Sequence, residues 1–307
     1  MKDGPFSQLS GFRKLLIFLF ISLLSLLIFA LVGLLLAQLI TGIDSDNAIL
    51  SNYENPTTIL YLKIIQIAQS IGLFIVSPLL SVFLFRQKNE NYLHLKNIHI
   101  IYMVLSGFLM LIALPFINGL AEINRSISFP DALSSIEQWM INSEKEAQNV
   151  TQYFLKAEHF STLLFNLIMM AILPAIGEEF FFRGVLQKLI TQMSRNSHLG
   201  IWITAFIFSA IHMQFLTFLP RFFMGIMFGY MLVWSGSIWL PISAHFVNNG
   251  TAVVLNYLIQ KDTIGSEIDT IGNDNISLMS SSFILILSSL YFLKQRLAEK
   301  PKISQTE

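Results

Sequence analysis

Two adjacent carboxylates, Glu178 and Glu179, open a run in which Phe180, Phe181 and Phe182 lead to a guanidinium, Arg183. Further along, Phe208 precedes His212 by four residues, and His245 precedes Asn249 by the same interval. All of these lie in strongly apolar surroundings. An ionisable group at mid-bilayer costs about 3 kcal/mol on insertion scales, so a chain keeps one there for a partner or a task. Glu179 and Arg183 are i,i+4 on a helix and can pair. Glu178 is rotated about 100° away and is free to face elsewhere. A desolvated, unpaired carboxylate is a good proton acceptor, which is what a general base must be. His212 could pack on Phe208 one turn before it. His245 and Asn249 share a face, where two donors could hold a developing oxyanion. A structural reading stands beside each of these: one ion cluster for the three charges, an interhelical hydrogen bond for His212, and an interhelical bridge for His245 and Asn249.

The elements that would position these residues follow from composition. The chain has 307 residues, with 54% apolar and only 12% charged. A soluble domain carries about 25% charged residues, so lipid is the expected solvent for most of this one. Lys plus Arg and Asp plus Glu are equal at 19 each, so no bulk charge argues for nucleic acid. The absence of cysteine excludes disulfides, thiolate metal sites and cysteine nucleophiles. The expected fold class is all-α: a polytopic transmembrane helix bundle of about eight spans.

Each span needs about 20 mostly apolar residues. The candidates are Leu15–Ile40, Ile64–Phe85, Ile98–Leu120, Phe160–Leu186, Leu199–Leu216, Arg221–Trp234, Ile238–Ile259 and Met279–Leu293. The first exceeds the apolar stretch of a signal peptide and is read as a retained span. Most Lys and Arg fall on the side of the termini: Lys2, Arg13 and Lys14; Arg86, Lys88 and Lys96; Arg183, Lys188 and Arg195; Lys294, Arg296, Lys300 and Lys302. The positive-inside rule then makes both termini cytoplasmic and the protein a multi-pass protein of the cell membrane. Asp44–Asn55 and residues 121–157 fall outside.

Within that outer connection, Pro130 and Asp131 suit a helix start, Ser134-x-x-Glu137 has the form of a capping box, and Leu133, Ile136 and Met140 fall on one face. A helix shielding the bundle and a substrate gate are both compatible with it. Gly225-x-x-x-Gly229 suits helix packing, Asn166 suits an interhelical hydrogen bond, and Asn248 should point away from Asn249. Residues 262–277 read as a polar loop, and the tail after Lys294 as disordered.

The three pairings, in order and inside spans, resemble the family of CAAX prenyl proteases and bacteriocin-processing or self-immunity enzymes, the CPBP intramembrane endopeptidases. Glu178, Glu179 and Arg183 match its first motif, Phe208 and His212 its second, and His245 and Asn249 its third, across Phe160–Tyr257. The resemblance implies a core at 158–260, preceded by three spans and the outer segment in 1–157 and followed by loop, last span and tail in 261–307. It implies hydrolysis of a peptide bond in a membrane-associated or lipidated peptide or protein, near the cytoplasmic face. Glu178 with His212 would activate water, Glu179 and Arg183 would hold the helix, and His245 and Asn249 would stabilise the oxyanion. Membrane lipid and such a peptide are the expected partners, and nucleic acid is not.

No cofactor is favoured. The family's metalloprotease label makes zinc the alternative, with Glu178, His212 and His245 as ligands and water in the fourth position. Two other classes of function compete: a non-enzymatic immunity or scaffold protein with a structural ion cluster, and a transporter, whose broken helices and internal repeats the sequence lacks. One tension concerns depth. His212 would lie about 20 Å from the cytoplasmic end of span five, deeper than Glu178 at about 15 Å, unless the helices tilt or span five starts later.

Overall fold

A computed structural model describes residues 3–44, 54–88 and 90–298. The described chain is helical, without a strand. Its helices are α1 (Gly11–Thr41), α2 (Pro56–Phe85), α3 (Ile100–Arg125), α4 (Ser134–Leu155), α5 (Phe160–Ser194), α6 (Ser197–Ala210), α7 (Phe218–Ser235), α8 (Trp239–Gln260) and α9 (Ile276–Ala298). Helices stand at all eight expected spans, and the protein is a polytopic bundle. Among the described residues, six helices are long and apolar enough to cross a membrane on their own. The other two carry site residues: α6 has only 14 residues, and α8 has 22 but includes His245, Asn248, Asn249 and Asn256.

Lipid-facing and bundle-facing residues separate cleanly on α1. Its buried positions, among them Phe18, Ser22, Ser25, Gly33 and Ala37, recur at three- and four-residue spacing along one face. Leu19, Phe20, Leu23, Leu27, Leu31 and Leu35 are exposed on the others, as lipid contact requires. Small residues on the buried face let α1 approach α2 closely, with Ser22 Oγ donating to Ser77 Oγ at 3.2 Å.

Helix α5 is the backbone of the site. It is 35 residues long and contains two π-helical segments, Ile168–Ile172 and Glu179–Leu186. The first comes just before Pro174, whose missing N–H and ring disturb an ordinary α turn. The second begins at Glu179; π turns inside α-helices frequently fall at functional sites. Gly177, immediately before Glu178, packs directly on α2: a Cβ there would lie 2.8 Å from Phe74 Cβ. Phe74, Phe181 and Phe182 then interlock, with Phe74 edge-on to Phe181 at 5.5 Å. Together with Phe18, Phe85, Val185, Leu189 and Phe208 they form the apolar core under the site.

Several boundaries differ from those expected. Span five ends at Ala210 rather than Leu216; the chain turns at Met213, with φ 54°, and a 3-10 turn at Phe215–Thr217 leads into α7. Apolarity alone could not separate that turn from the helices on either side. Helix α5 runs past the Leu186 bound of the expected span to Ser194, which puts about 24 Å of helix between Glu178 and that end. The depth tension with His212 disappears as a result. Helix α9 reaches Ala298, beyond Lys294; the rest of the tail, most of Asp44–Asn55, and Lys2, Lys300 and Lys302 lie outside the described residues.

The outer helix also differs in detail. A 3-10 turn at Asp131–Leu133 precedes α4, and no side-chain cap forms at its start. Leu133 and Ile136 are exposed; the buried positions of α4 are Glu144 and Phe154. Glu144 accepts from Leu216 N at 3.2 Å and Thr217 Oγ1 at 3.3 Å. The helix is therefore anchored over the end of α6 by a carboxylate rather than by an apolar stripe. Asn166 makes the expected interhelical bond, accepting from Lys63 Nζ at 2.9 Å and donating to Leu155 O at 3.2 Å.

The connection between α2 and α3 closes the opposite end. His94 O accepts from Ile238 N at 2.9 Å, and Ser237 Oγ donates to Lys96 O at 2.6 Å. Burial lowers the His94 pKa from its ordinary 6.5, the nearby Lys188 adds to this, and Glu90 opposes it. A histidine held neutral in the fold contributes stability above its unfolded pKa, and that contribution is lost as pH falls through the folded one. Glu90 is pushed up by burial but lowered overall, chiefly by the Gln87 N–H and Lys188. Its contribution is lost only below its ordinary 4.5. The melting midpoint should therefore drop between pH 7.5 and 5, and His94→Asn, which tolerates the left-handed backbone there (φ 56°), should flatten that drop. Parallel melts at the two pH values check it.

Candidate active site

Glu179 and Arg183, on one face of α5, are completely buried and paired, Arg183 Nη1 to Glu179 Oε1 at 3.1 Å. Three aromatic faces surround the guanidinium: Phe208 at 4.6 Å, Phe228 at 5.3 Å and Phe182 at 5.8 Å. Cation–π attraction offsets some of the desolvation. Arg183 Nη2 also donates to Gly225 O at 3.3 Å on α7. That carbonyl is within reach because α7 packs tightly on α6: a Cβ on Gly225 would meet Ala205 Cβ at 2.9 Å. Gly229 does the same a helical turn later, its carbonyl accepting from Gln187 Nε2 at 3.4 Å. The glycine pair thus packs as expected and also exposes carbonyls to α5, a use that spacing did not reveal.

His245 joins this pair from α8. Its Nδ1 lies 2.8 Å from Glu179 Oε1. The carboxylate can only accept there, so the proton is on Nδ1. The ring stacks on Phe228 at 5.3 Å and 22°. Its other nitrogen, Nε2, faces Glu178, 3.9 Å from Oε2. Glu179 is thus a hub that accepts from both Arg183 and His245, while Glu178 stands across the imidazole from it.

Glu178 is exposed to the cavity at only 12% of its side-chain surface. Its Oε2 is buried and has no hydrogen-bond partner among the described residues. His212 lies in the turn after α6, with Nδ1 2.7 Å from Phe208 O. A carbonyl accepts, so Nδ1 carries the proton and Nε2 of the neutral ring is a free acceptor. Phe208 packs edge-on to His212 at 5.0 Å, as their spacing suggested. Asn249 donates from Nδ2 to Met170 O at 3.2 Å. Asn248 does not point away: its Nδ2 donates to Asn249 Oδ1 at 3.0 Å.

Glu178, His212, His245, Asn248 and Asn249 line one cavity of about 420 Å³. Glu179 and Arg183 lie behind its wall. Sequence reasoning did not place Arg221 and Gln214 there, nor Thr151 and Leu155 from α4. Arg221 donates to Gln214 O at 3.3 Å and Thr217 Oγ1 at 2.7 Å, and also to the Gln214 side chain. A cation at the head of an apolar helix was the available signal.

The zinc alternative can be tested on this geometry. Glu178, His212 and His245 face one cavity, but among the described residues no three His, Asp or Glu side chains are grouped closely enough to hold a metal ion. The nearest approach within the trio given by the structure, 3.9 Å from His245 Nε2 to Glu178 Oε2, is an ion-pair distance. The donor set does not fit zinc as arranged, the metalloprotease label gains no support from it, and no step is derived through a metal.

Comparison with known proteins bears on the same region. Residues 160–251 match the family model described as type II CAAX prenyl endopeptidase Rce1-like. Two curated Bacillus subtilis proteins are similar. "Uncharacterized protein YpbD" is 34% identical over 86 residues, 27% of this chain and 41% of that protein. "Putative membrane peptidase YdiL" is 28% identical over 135 residues, 42% of this chain and 54% of that protein. The similarity thus spans about half the length of these relatives, or less. No solved structure matches the chain. The segment that matches the type II CAAX prenyl endopeptidase Rce1-like model carries all six of Glu178, Glu179, Arg183, His212, His245 and Asn249.

Proposed function

We infer that the protein is a membrane endopeptidase that hydrolyses a peptide bond of a membrane-associated substrate with water activated by Glu178 and His212. The observation that carries this reading is the partnerless Oε2 of Glu178, a residue that lines one cavity with His212, His245 and Asn249. A water between Glu178 and His212 can donate one hydrogen to the carboxylate and the other to His212 Nε2. As its oxygen attacks the carbonyl carbon, Glu178 takes the proton. The negative charge that develops on the carbonyl oxygen is met by the second amide N–H of Asn249, and by His245 in the doubly protonated form, the one that has an Nε2 proton to donate. Collapse of the tetrahedral species breaks the C–N bond, and Glu178 returns its proton to the departing amine. Glu179 acts at one remove: it fixes the ring of His245, and Arg183 balances its charge.

Alternative roles as a scaffold would need the cluster only for folding. They give no account of a buried, unpartnered carboxylate oxygen on a residue that shares its cavity with two imidazoles. The discriminating experiment uses full-length protein in lipid nanodiscs with a proteome-derived peptide library, and reads cleavage by mass spectrometry. Cleavage should persist after chelator treatment and be lost in Glu178→Gln. Loss on chelation with recovery on adding zinc would replace this mechanism with a metal-dependent one.

The three-segment organisation at 1–157, 158–260 and 261–307 and the cytoplasmic placement of both termini belong to the same proposal. The segmentation rests on the extent of the family resemblance, and the placement of the termini on the distribution of Lys and Arg. The cysteine-free sequence makes a thiol label unambiguous. A cysteine at Lys88 should resist membrane-impermeant reagent in intact cells, and one at Glu137 should react; the reverse pattern would invert the orientation.

A further inference from the structure

The catalytic cavity does not end at Glu178. A second cavity of about 550 Å³ shares Thr151, Met170, Glu178, His212 and Gln214 with the first, so the two meet at the proposed base. From there it runs beneath α4, whose Ser143, Ala147 and Val150 line it at four- and three-residue spacing, one helix face. The opposite wall comes from α2, through Gln66, Ser70 and Phe74. Each cavity has the volume of an ordinary ligand pocket, about 300–1,000 Å³. The two also differ in charge. Apart from Glu178 and the histidines, the first cavity is lined by one charged side chain, Arg221, and the second by one of opposite sign, Glu146.

We propose that the second cavity is a substrate subsite, in which α4 binds the polypeptide on one side of the scissile bond while the Arg221 cavity receives the other side. This rests on the endopeptidase reading above and adds where the chain lies and which residues select it. An enzyme that trimmed a single terminal residue would need room on one side of its base; this site has room on both. Ala147 is the small residue in the α4 wall and sets how large a side chain fits beneath it. Glu146 favours a basic side chain in the same arm. The outer helix is thus a wall of the active site, held in place by Glu144 on Leu216 and Thr217.

The test is a cleavage-site profile. Full-length protein in nanodiscs is given a proteome-derived peptide library, and residue preferences are read on each side of the cut for wild type, Ala147→Trp, Glu146→Lys and Glu178→Gln. Ala147→Trp fills the arm and should reduce cleavage at least tenfold for peptides with bulky residues on one side of the cut, leaving the preference on the other side unaltered. Glu146→Lys, at an exposed position that tolerates substitution, should turn a preference for basic residues on that same side into one for acidic residues. Glu178-dependent cleavage with identical profiles in both α4 variants overturns the subsite and leaves the endopeptidase reading standing. No cleavage by wild type, or cleavage indifferent to Glu178→Gln, overturns that reading and the subsite with it.

Discussion

Glu178→Gln should lower peptide cleavage by about 10²–10⁴-fold, the usual cost of losing a general base, and leave the melting midpoint unchanged or slightly raised. The substitution preserves shape and removes only charge and basicity. In the structure the carboxylate makes no hydrogen bond through Oε2 among the described residues, and its approach to His245 Nε2 is 3.9 Å, too long for one. Little that stabilises the fold is therefore lost. A buried carboxylate with so little compensation is costly in its ionised form, so neutralising it relieves the bundle. Melting and cleavage measured on one preparation separate the two roles. A variant that cleaves at the wild-type rate, or that unfolds early, would falsify the assignment of Glu178 as base and point to a structural ion cluster.

Arg183→Ala should do the opposite, lowering stability by about 3–5 kcal/mol, the range for removing one partner of a buried ion pair. Glu179 would keep the hydrogen bond from His245 Nδ1 but lose the guanidinium paired with it, in a place without solvent access. Gly225 O would lose its donor as well, and three aromatic rings would face a void. Glu179→Ala should be comparably destabilising, because it strands Arg183 and releases His245. Both variants should give low yield, early melting and little activity. The informative comparison is Arg183→Lys: it retains a charge but not the fork that reaches Glu179 and Gly225 together, so it should recover stability only partially. If Arg183→Ala melts with wild type, the pair does not hold α5 to α7 and α8.

The pairing of Glu179 with Arg183 and the freedom of Glu178 were readable because both depend on spacing along one helix. That spacing survived even though the segment is π-helical, since Arg183 Nη1 still reaches Glu179 Oε1 at 3.1 Å. The Phe208–His212 contact was readable for the same reason. The link from His245 to Glu179 was not, because it joins helices 66 positions apart in sequence and no local rule constrains such a pair. Span five was drawn too long because Ile211, Phe215 and Leu216 are as apolar as the helix before them; what stops it is a left-handed Met213, and methionine gives no warning of that. On α4, an apolar stripe was sought where the actual anchor is Glu144. The turn it meets offers a backbone N–H and a hydroxyl, so the matching group is an acceptor, and a hydrophobic pattern is blind to it.

The short α6 bears on a reagent that a bilayer withholds. Peptide hydrolysis consumes one water per bond as a co-substrate, and the hydrocarbon around apolar spans is nearly anhydrous. A full-length helix in place of α6 would seal the bundle with apolar side chains on every side. Because α6 stops at Ala210, the volume beyond it is taken up by Gln214, Thr217 and Arg221, with Glu144 reaching in from above. These groups can hydrate, and they lead from the polar α4 down to His212. For the proposed hydrolysis, the truncation of one helix would supply a route by which solvent is replenished after each turnover while the lipid-facing sides of the bundle remain dry.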